Sequence, residues 1–170
     1  MKKFLTLATS LVLCACATQS YGPSASAQLS PTKGNATQGT IMFTQSGSKV
    51  LVKVDIRGLK PNAEHGFHVH EKGDCSSGDG MSTGGHFNPT SSAHGAHGHG
   101  AHHAGDLPSL KADADGAVKM TFESSTISIE SGASNIIGRG LIVHRDPDDY
   151  KTQPTGNSGP RLACAVINKS

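Results

Sequence analysis

The chain has no tryptophan, and only two tyrosines and five phenylalanines in 170 residues. That scarcity excludes a core built around large aromatic rings. With Phe4 set aside in an apolar leader, Phe43, Phe67, Phe87 and Phe122 must pack among valine, isoleucine and leucine, a mixture whose β-branched members favour strands. Charge of one sign is also lacking. Basic residues number 15 and acidic ones 13, and without Lys2 and Lys3 the signs balance, so nothing marks a surface for nucleic acid. No apolar stretch is long enough to span a bilayer: the extended one, Phe4 to Ala17, falls short of the required length.

That stretch, led by Lys2 and Lys3 and closed by small residues, reads as a secretory signal over residues 1–17. Its end, LCACA, fits two processing events. Ala15-Cys16-Ala17 has the form of an ordinary cleavage site, whereas Leu13-Cys14-Ala15-Cys16 resembles a bacterial lipobox in which Cys16 is acylated and tethers the protein to a membrane. The lipoprotein form is the preferred expectation. Residues Thr18 to Gln38 are rich in Ser, Gln, Pro, Ala and Gly and poor in large apolar side chains, a composition expected to give a flexible tether over 18–38. Residues 39–170, about 130, fit one domain with one modest core. Cysteine is scarce too. Two of the four lie in the signal, leaving Cys75 and Cys164, and in an exported chain such an even pair defaults to a disulfide rather than two buried thiols.

Alternation is clear in VKVDIRG, where Val52, Val54 and Ile56 face one way and Lys53, Asp55 and Arg57 the other. It recurs in VKMTFE, with Val118, Met120 and Phe122 inward, after the turn signal DADG. A sustained helical period is missing. Short strands divided by Gly- and Asp-rich breaks predict an all-β fold, an antiparallel sandwich or barrel. Two stretches, Glu71 to Leu110 and Arg145 to Pro160, exceed ordinary loop lengths and are expected to be functional loops.

The histidines lie mostly in and before the first of these loops. In GFHVH, a strand would send Phe67 and Val69 into the core and His68 and His70 together to the other face. Two such imidazoles make half a metal site, although an H-x-H pair is as often an ordinary surface pair. His144 ends the apolar run LIVH, and His86 follows a glycine pair that lets the backbone bend. His65 is expected to be a structural hydrogen-bonding residue. The segment HFNPTSSAHGAHGHGAHHAGDL adds a dense supply of imidazole closed by Asp106. Three histidines and one aspartate suit a tetrahedral zinc site, while the run by itself also suits a low-complexity metal-scavenging tract.

GFHVHEKGD, GGHFNP, HHAGDLPSL, IIGRGLIVH and GNSGPRLACAVI, in this order between Gly39 and Ile167, resemble the motifs of copper/zinc superoxide dismutases of the bacterial secreted branch. The resemblance implies an immunoglobulin-like Greek-key sandwich or barrel with two long functional loops. It implies copper held by His68, His70, His86 and His144, and zinc held by His86, His94, His103 and Asp106, so that His86 bridges both. His97, His99 and His102 have no counterpart, and His102 is the alternative to His103 if the register shifts by one. Asp148 takes the place of a carboxylate linking His68 to His94, with Asp146 and Asp149 as alternatives, and Arg161 takes the place of an anion-binding arginine beside the copper. The implied activity is conversion of superoxide to oxygen and hydrogen peroxide by a copper redox cycle, with His86 and Arg161 catalytic. It would occur in the periplasm, in a monomer or a homodimer. The competing reading is a periplasmic protein that sequesters copper or zinc through the histidine-rich loop.

Overall fold

The computed structural model describes residues 22–170. The signal over 1–17, Cys16 within it, and the first residues of the expected tether lie outside the described residues. The described residues form ten strands: β1 (Ser24–Pro31), β2 (Gln38–Ser46), β3 (Lys49–Arg57), β4 (Glu64–His65), β5 (Phe67–His70), β6 (Leu110–Lys111), β7 (Val118–Ser124), β8 (Gly140–His144), β9 (Arg161–Val166) and β10 (Asn168–Lys169). The main sheet runs β5-β8-β9-β1-β2-β3-β7, with β10 beside β1, and β4 pairs with β6 separately. Every named strand pair is antiparallel. The all-β expectation holds, and the sheet curls into a half-barrel.

The curl turns on β1. Its first part, Ser24 to Leu29, pairs with β2, and its end, Ser30 and Pro31, pairs with Cys164 and Ala163 of β9. For the described part of the span, residues 22–38, this corrects the flexible tether expected over 18–38. Ala25, Ala27 and Leu29 are buried while Ser24, Ser26 and Gln28 are not, so the segment carries a period of two that small alanines hide from any average of hydrophobicity. Small side chains also suit the inside of a tightly curled sheet, where strands from both halves converge.

Val52, Val54 and Ile56 are buried on β3 against Ile41 and Phe43 of β2. Val118 is buried across from Ile56, and Met120 and Phe122 pack more loosely against the same cluster. From the other half come Phe67, Val69, Leu141, Val143, Ala163 and Ala165. Burying Phe67 and Val69 contributes roughly 2 kcal/mol each, enough to hold β5 in register and with it the direction of His68 and His70.

The Glu71–Leu110 loop covers the free edge of β5. Phe87 N–H donates to Val69 O (2.8 Å), Val69 N–H to Gly105 O (2.9 Å) and Gly105 N–H to Phe87 O (2.9 Å). An exposed strand edge is thereby paired within the molecule, and His86 and Asp106 are brought opposite His70 and His68. On the other side of β8, the pairing of Val143 with Ala163 is followed by that of His144 with Arg161, so Leu162 is an extra residue and β9 carries a bulge. Bulges re-aim side chains next to functional sites. Here it puts Arg161 on the face of His144. The disulfide Cys75–Cys164, with Cα atoms 5.9 Å apart, fastens the start of the first loop to β9.

Candidate metal centre

Two groups of buried side chains converge where β5, β8 and the first loop meet: His68, His70, His86 and His144, and His86, His94, His103 and Asp106. Within each group one donor atom from every member lies within 4.8 Å of the others. His86 belongs to both.

Outward-facing nitrogens fix the rings of the first group. His70 Nδ1 meets Gly84 O at 2.9 Å, His144 Nδ1 meets Gly159 O at 3.1 Å, and His68 Nε2 meets Asp148 Oδ2 at 2.8 Å. A carbonyl or carboxylate only accepts, so each of these nitrogens carries the proton and the opposite nitrogen keeps its lone pair. The nitrogens left over, His68 Nδ1, His70 Nε2, His86 Nε2 and His144 Nε2, are buried with no hydrogen-bond partner among the described residues. Buried acceptors without donors are costly. Protonation offers no relief, because burial, reinforced by neighbouring imidazoles and by Arg161, holds His70 and His144 well below the ordinary histidine value. A cation that accepts several imidazole lone pairs answers the arrangement.

The second group is crowded in a different way. Asp106 Oδ1 lies 2.9 Å from His86 Nδ1, 3.1 Å from His94 Nδ1 and 3.3 Å from His103 Nδ1, and the His86 and His103 nitrogens are 3.4 Å apart. One carboxylate oxygen cannot accept well-directed bonds from all three. A tetrahedron of donors at zinc bond lengths has edges of about 3.3 Å. Asp106 Oδ2, meanwhile, is held by the backbone N–H groups of Gly95 (3.1 Å) and His103 (2.8 Å). The residues fit the two metals their chemistry suggests.

Asp148 couples the groups. Its Oδ2 takes His68 and its Oδ1 takes His94 Nε2 at 2.9 Å, while Asp146 pairs with Arg145 and Asp149 caps the turn at Thr152. Carboxylates placed behind ligating imidazoles set ring orientation and tautomer. Gly156, at φ +66, leaves room for this, since a Cβ there would overlap Asp148 Oδ1 and His94 Nε2. Burial alone would lower His94, but the Asp106 carboxylate 3.1 Å from its Nδ1 and the hydrogen bond of its Nε2 to Asp148 outweigh that and push it up to about 9. Burial brings His86 down to about 4 despite its bond to Asp106. Both carboxyls stay well below the usual range, because hydrogen bonds from the histidines overcome the opposing effect of burial.

These shifts set the acid behaviour of the metal-free chain. Burial holds His68, His70, His86 and His144 below the ordinary histidine value. The unfolded chain binds protons at these sites first, so stability falls as pH drops below about 6.5. His94 has the opposite sign: its contribution is full below the unfolded value and is lost as pH rises through about 9. Calorimetry of the metal-stripped protein should show the midpoint falling between pH 7 and 5, with a shallower decline towards pH 9. A flat profile from 7 to 5 would contradict the burial argument.

Residues 37–167 match the family model described as copper/zinc superoxide dismutase. The chain belongs to that family. It is 46% identical over 136 residues to "Superoxide dismutase [Cu-Zn]" of Paramecium bursaria Chlorella virus 1, covering 76% of this chain and 72% of the relative. It is 37% identical over 171 residues to "Superoxide dismutase [Cu-Zn] 2" of Aquifex aeolicus, covering 98% and 99%. A crystal structure of the clock protein EA4 superposes with a TM-score of 0.78 at 43% identity, covering 85% of this chain and 93% of that one.

Within this copper/zinc superoxide dismutase, the extra histidines stand outside both donor groups. His102 Nδ1 donates to His103 O (2.8 Å) and His97 Nδ1 to Asp106 O (2.9 Å), while His99 is exposed. His65 is buried and its Nδ1 donates to His144 O at 2.9 Å. Arg161 donates from Nη1 to Gly80 O (2.5 Å) and Thr83 Oγ1 (2.7 Å), and from Nη2 to Gly84 O (2.8 Å). Two partners had no signal in the sequence. Thr83 is 78 residues from Arg161. Gln153, whose amide exchanges two hydrogen bonds with the His94 backbone, is 59 residues away.

Proposed function

We propose that this chain dismutates superoxide to oxygen and hydrogen peroxide, with copper held by His68, His70, His86 and His144 and zinc by His86, His94, His103 and Asp106. The observation that carries the assignment is His86, whose Nε2 belongs to the all-histidine group and has no hydrogen-bond partner among the described residues, and whose Nδ1 lies 2.9 Å from Asp106 in the other. Copper, when bound, supplies the one-electron cycle that oxidises one superoxide and reduces the next, beside the fixed charge of a redox-inert zinc. Arg161 binds the anion through the guanidinium hydrogens its cradle leaves free. His86 would help hold both metals, and when its Nε2 is not engaged in holding copper that nitrogen would carry the proton for the departing peroxide, with the ring kept in place from the side it shares with Asp106. Asp148 ties the orientation of His68 to that of His94.

Export to the periplasm is part of this reading. The signal over 1–17 supports it, and so does the disulfide, a bond that persists in oxidising compartments. Acylation of Cys16 would tether the enzyme to the envelope.

The test is metal content and dismutation on the mature protein beside a variant with His97, His99 and His102 all changed to alanine. Both should hold about one copper and one zinc per chain, and the triple variant should keep an activity within about twofold of wild type. Loss of the main activity in the triple variant would transfer the function to the histidine-rich loop.

A further inference from the structure

Arg161 is the cation the proposed mechanism uses, and its usefulness depends on which of its five N–H bonds are left over. Both Nη1 hydrogens are spent, on Gly80 O and on Thr83 Oγ1, and one Nη2 hydrogen is spent on Gly84 O. That leaves Nε–H and one Nη2–H without an acceptor among the described residues, donors that a small anion can take up.

The Thr83 hydroxyl has only one arrangement here. A guanidinium cannot accept, so the hydroxyl must accept from Arg161 and send its own hydrogen elsewhere; Gly80 O receives it at 2.9 Å. The side chain is fully buried. Its backbone is pinned on both sides, with Thr83 N–H donating to Gly80 O (3.2 Å) and Lys72 N–H donating to Thr83 O (3.0 Å). Its methyl side rests on β8, where a Cβ on Gly140 would come within 2.8 Å of Thr83 Cγ2. Gly140 is opposite His70. Thr83 is therefore fastened to the scaffold of the first donor group and offers Arg161 a rigid acceptor.

We propose that Thr83 is a positioning residue for Arg161: its buried hydroxyl holds Nη1 so that Nε–H and one Nη2–H remain free for the substrate anion. The proposal rests on the assignment of Arg161 as the anion-binding group. Without the hydroxyl, one Nη1 hydrogen loses its acceptor inside the protein. The guanidinium can then turn to find another, and the free pair no longer has one direction.

The experiment uses the copper- and zinc-loaded protein with inorganic azide as the probe anion, its affinity read from the absorbance of the bound copper. Thr83→Val, which keeps the shape and removes the hydroxyl, should weaken azide about three- to tenfold and lower the dismutation rate in parallel, with metal content unchanged. Thr83→Ser, which restores the hydroxyl, should return azide affinity to within about twofold of wild type. In an Arg161→Ala background Thr83→Val should add nothing, because coupled residues are non-additive. Unchanged azide affinity in Thr83→Val, or an equal effect with and without Arg161, overturns the role of Thr83 alone. Unchanged affinity in Arg161→Ala overturns the Arg161 assignment and this proposal together. Should the valine disturb folding, Thr83→Ala removes the hydroxyl without crowding Gly140 and gives the same comparison.

Discussion

Replacement of His86 by alanine is expected to lower superoxide dismutation by at least about 100-fold and to loosen both metals at once. Removing a partner that merely orients a ligand already costs about 10- to 100-fold in metal affinity, and His86 is a direct member of both donor groups. The loss falls unequally. The first group keeps His68, His70 and His144, whose rings remain fixed by Asp148, Gly84 O and Gly159 O, so copper should still bind, though more weakly. The second keeps His94, His103 and Asp106, but Asp106 Oδ1 loses its shortest histidine contact, 2.9 Å. Metal analysis after dialysis, alongside the dismutation rate, would measure both effects. A variant that retained activity within a few-fold would remove His86 from the mechanism.

The second large effect concerns stability. Cys75 and Cys164 are separated by 89 residues, and closing a loop of that length stabilises by about 4 to 5 kcal/mol on the chain-entropy account. For a domain of this size the double change Cys75→Ser and Cys164→Ser should lower the thermal midpoint by roughly 10–20 °C. Activity should suffer beyond the loss of folded protein. The loop that Cys75 fastens carries the three acceptors of Arg161, and Arg161 lies on the same strand as Cys164. Thermal unfolding of the double variant, with its rate measured well below the midpoint, separates the two consequences. A drop under about 5 °C would mean that the loop is closed mainly by its own bonds, such as Lys33 N–H to Gly78 O and Ser82 to Asp74 O.

Much of the fold was legible because burial follows the period of the side chains. Val52, Val54 and Ile56 announced β3, and Phe67 and Val69 announced the face that His68 and His70 do not share. β1 was missed for the opposite reason. Its buried positions are Ala25, Ala27 and Leu29, and in a stretch dominated by Ser, Gln and Pro the alternation is too faint to outweigh a composition typical of linkers. The strand is stabilised by partners far along the chain, β2 on one side and β9 and β10 on the other, which no local reading can see.

At the site, the division is between chemical identity and direction. The sequence by itself determined an all-β chain, a supply of imidazole and carboxylate donors, an even pair of cysteines and the motifs that carry the family. Only the tertiary structure decided how those donors are aimed. An extra residue, Leu162, bulges β9 and turns Arg161 from the core face to the face of His144, and Thr83, from a distant loop, then fixes its guanidinium. The physical reason is that alternation assigns a residue to a face only while the ladder stays in register. Where a bulge shifts the register, the facing of every residue beyond it depends on the partner strand, and that information lies outside the local sequence.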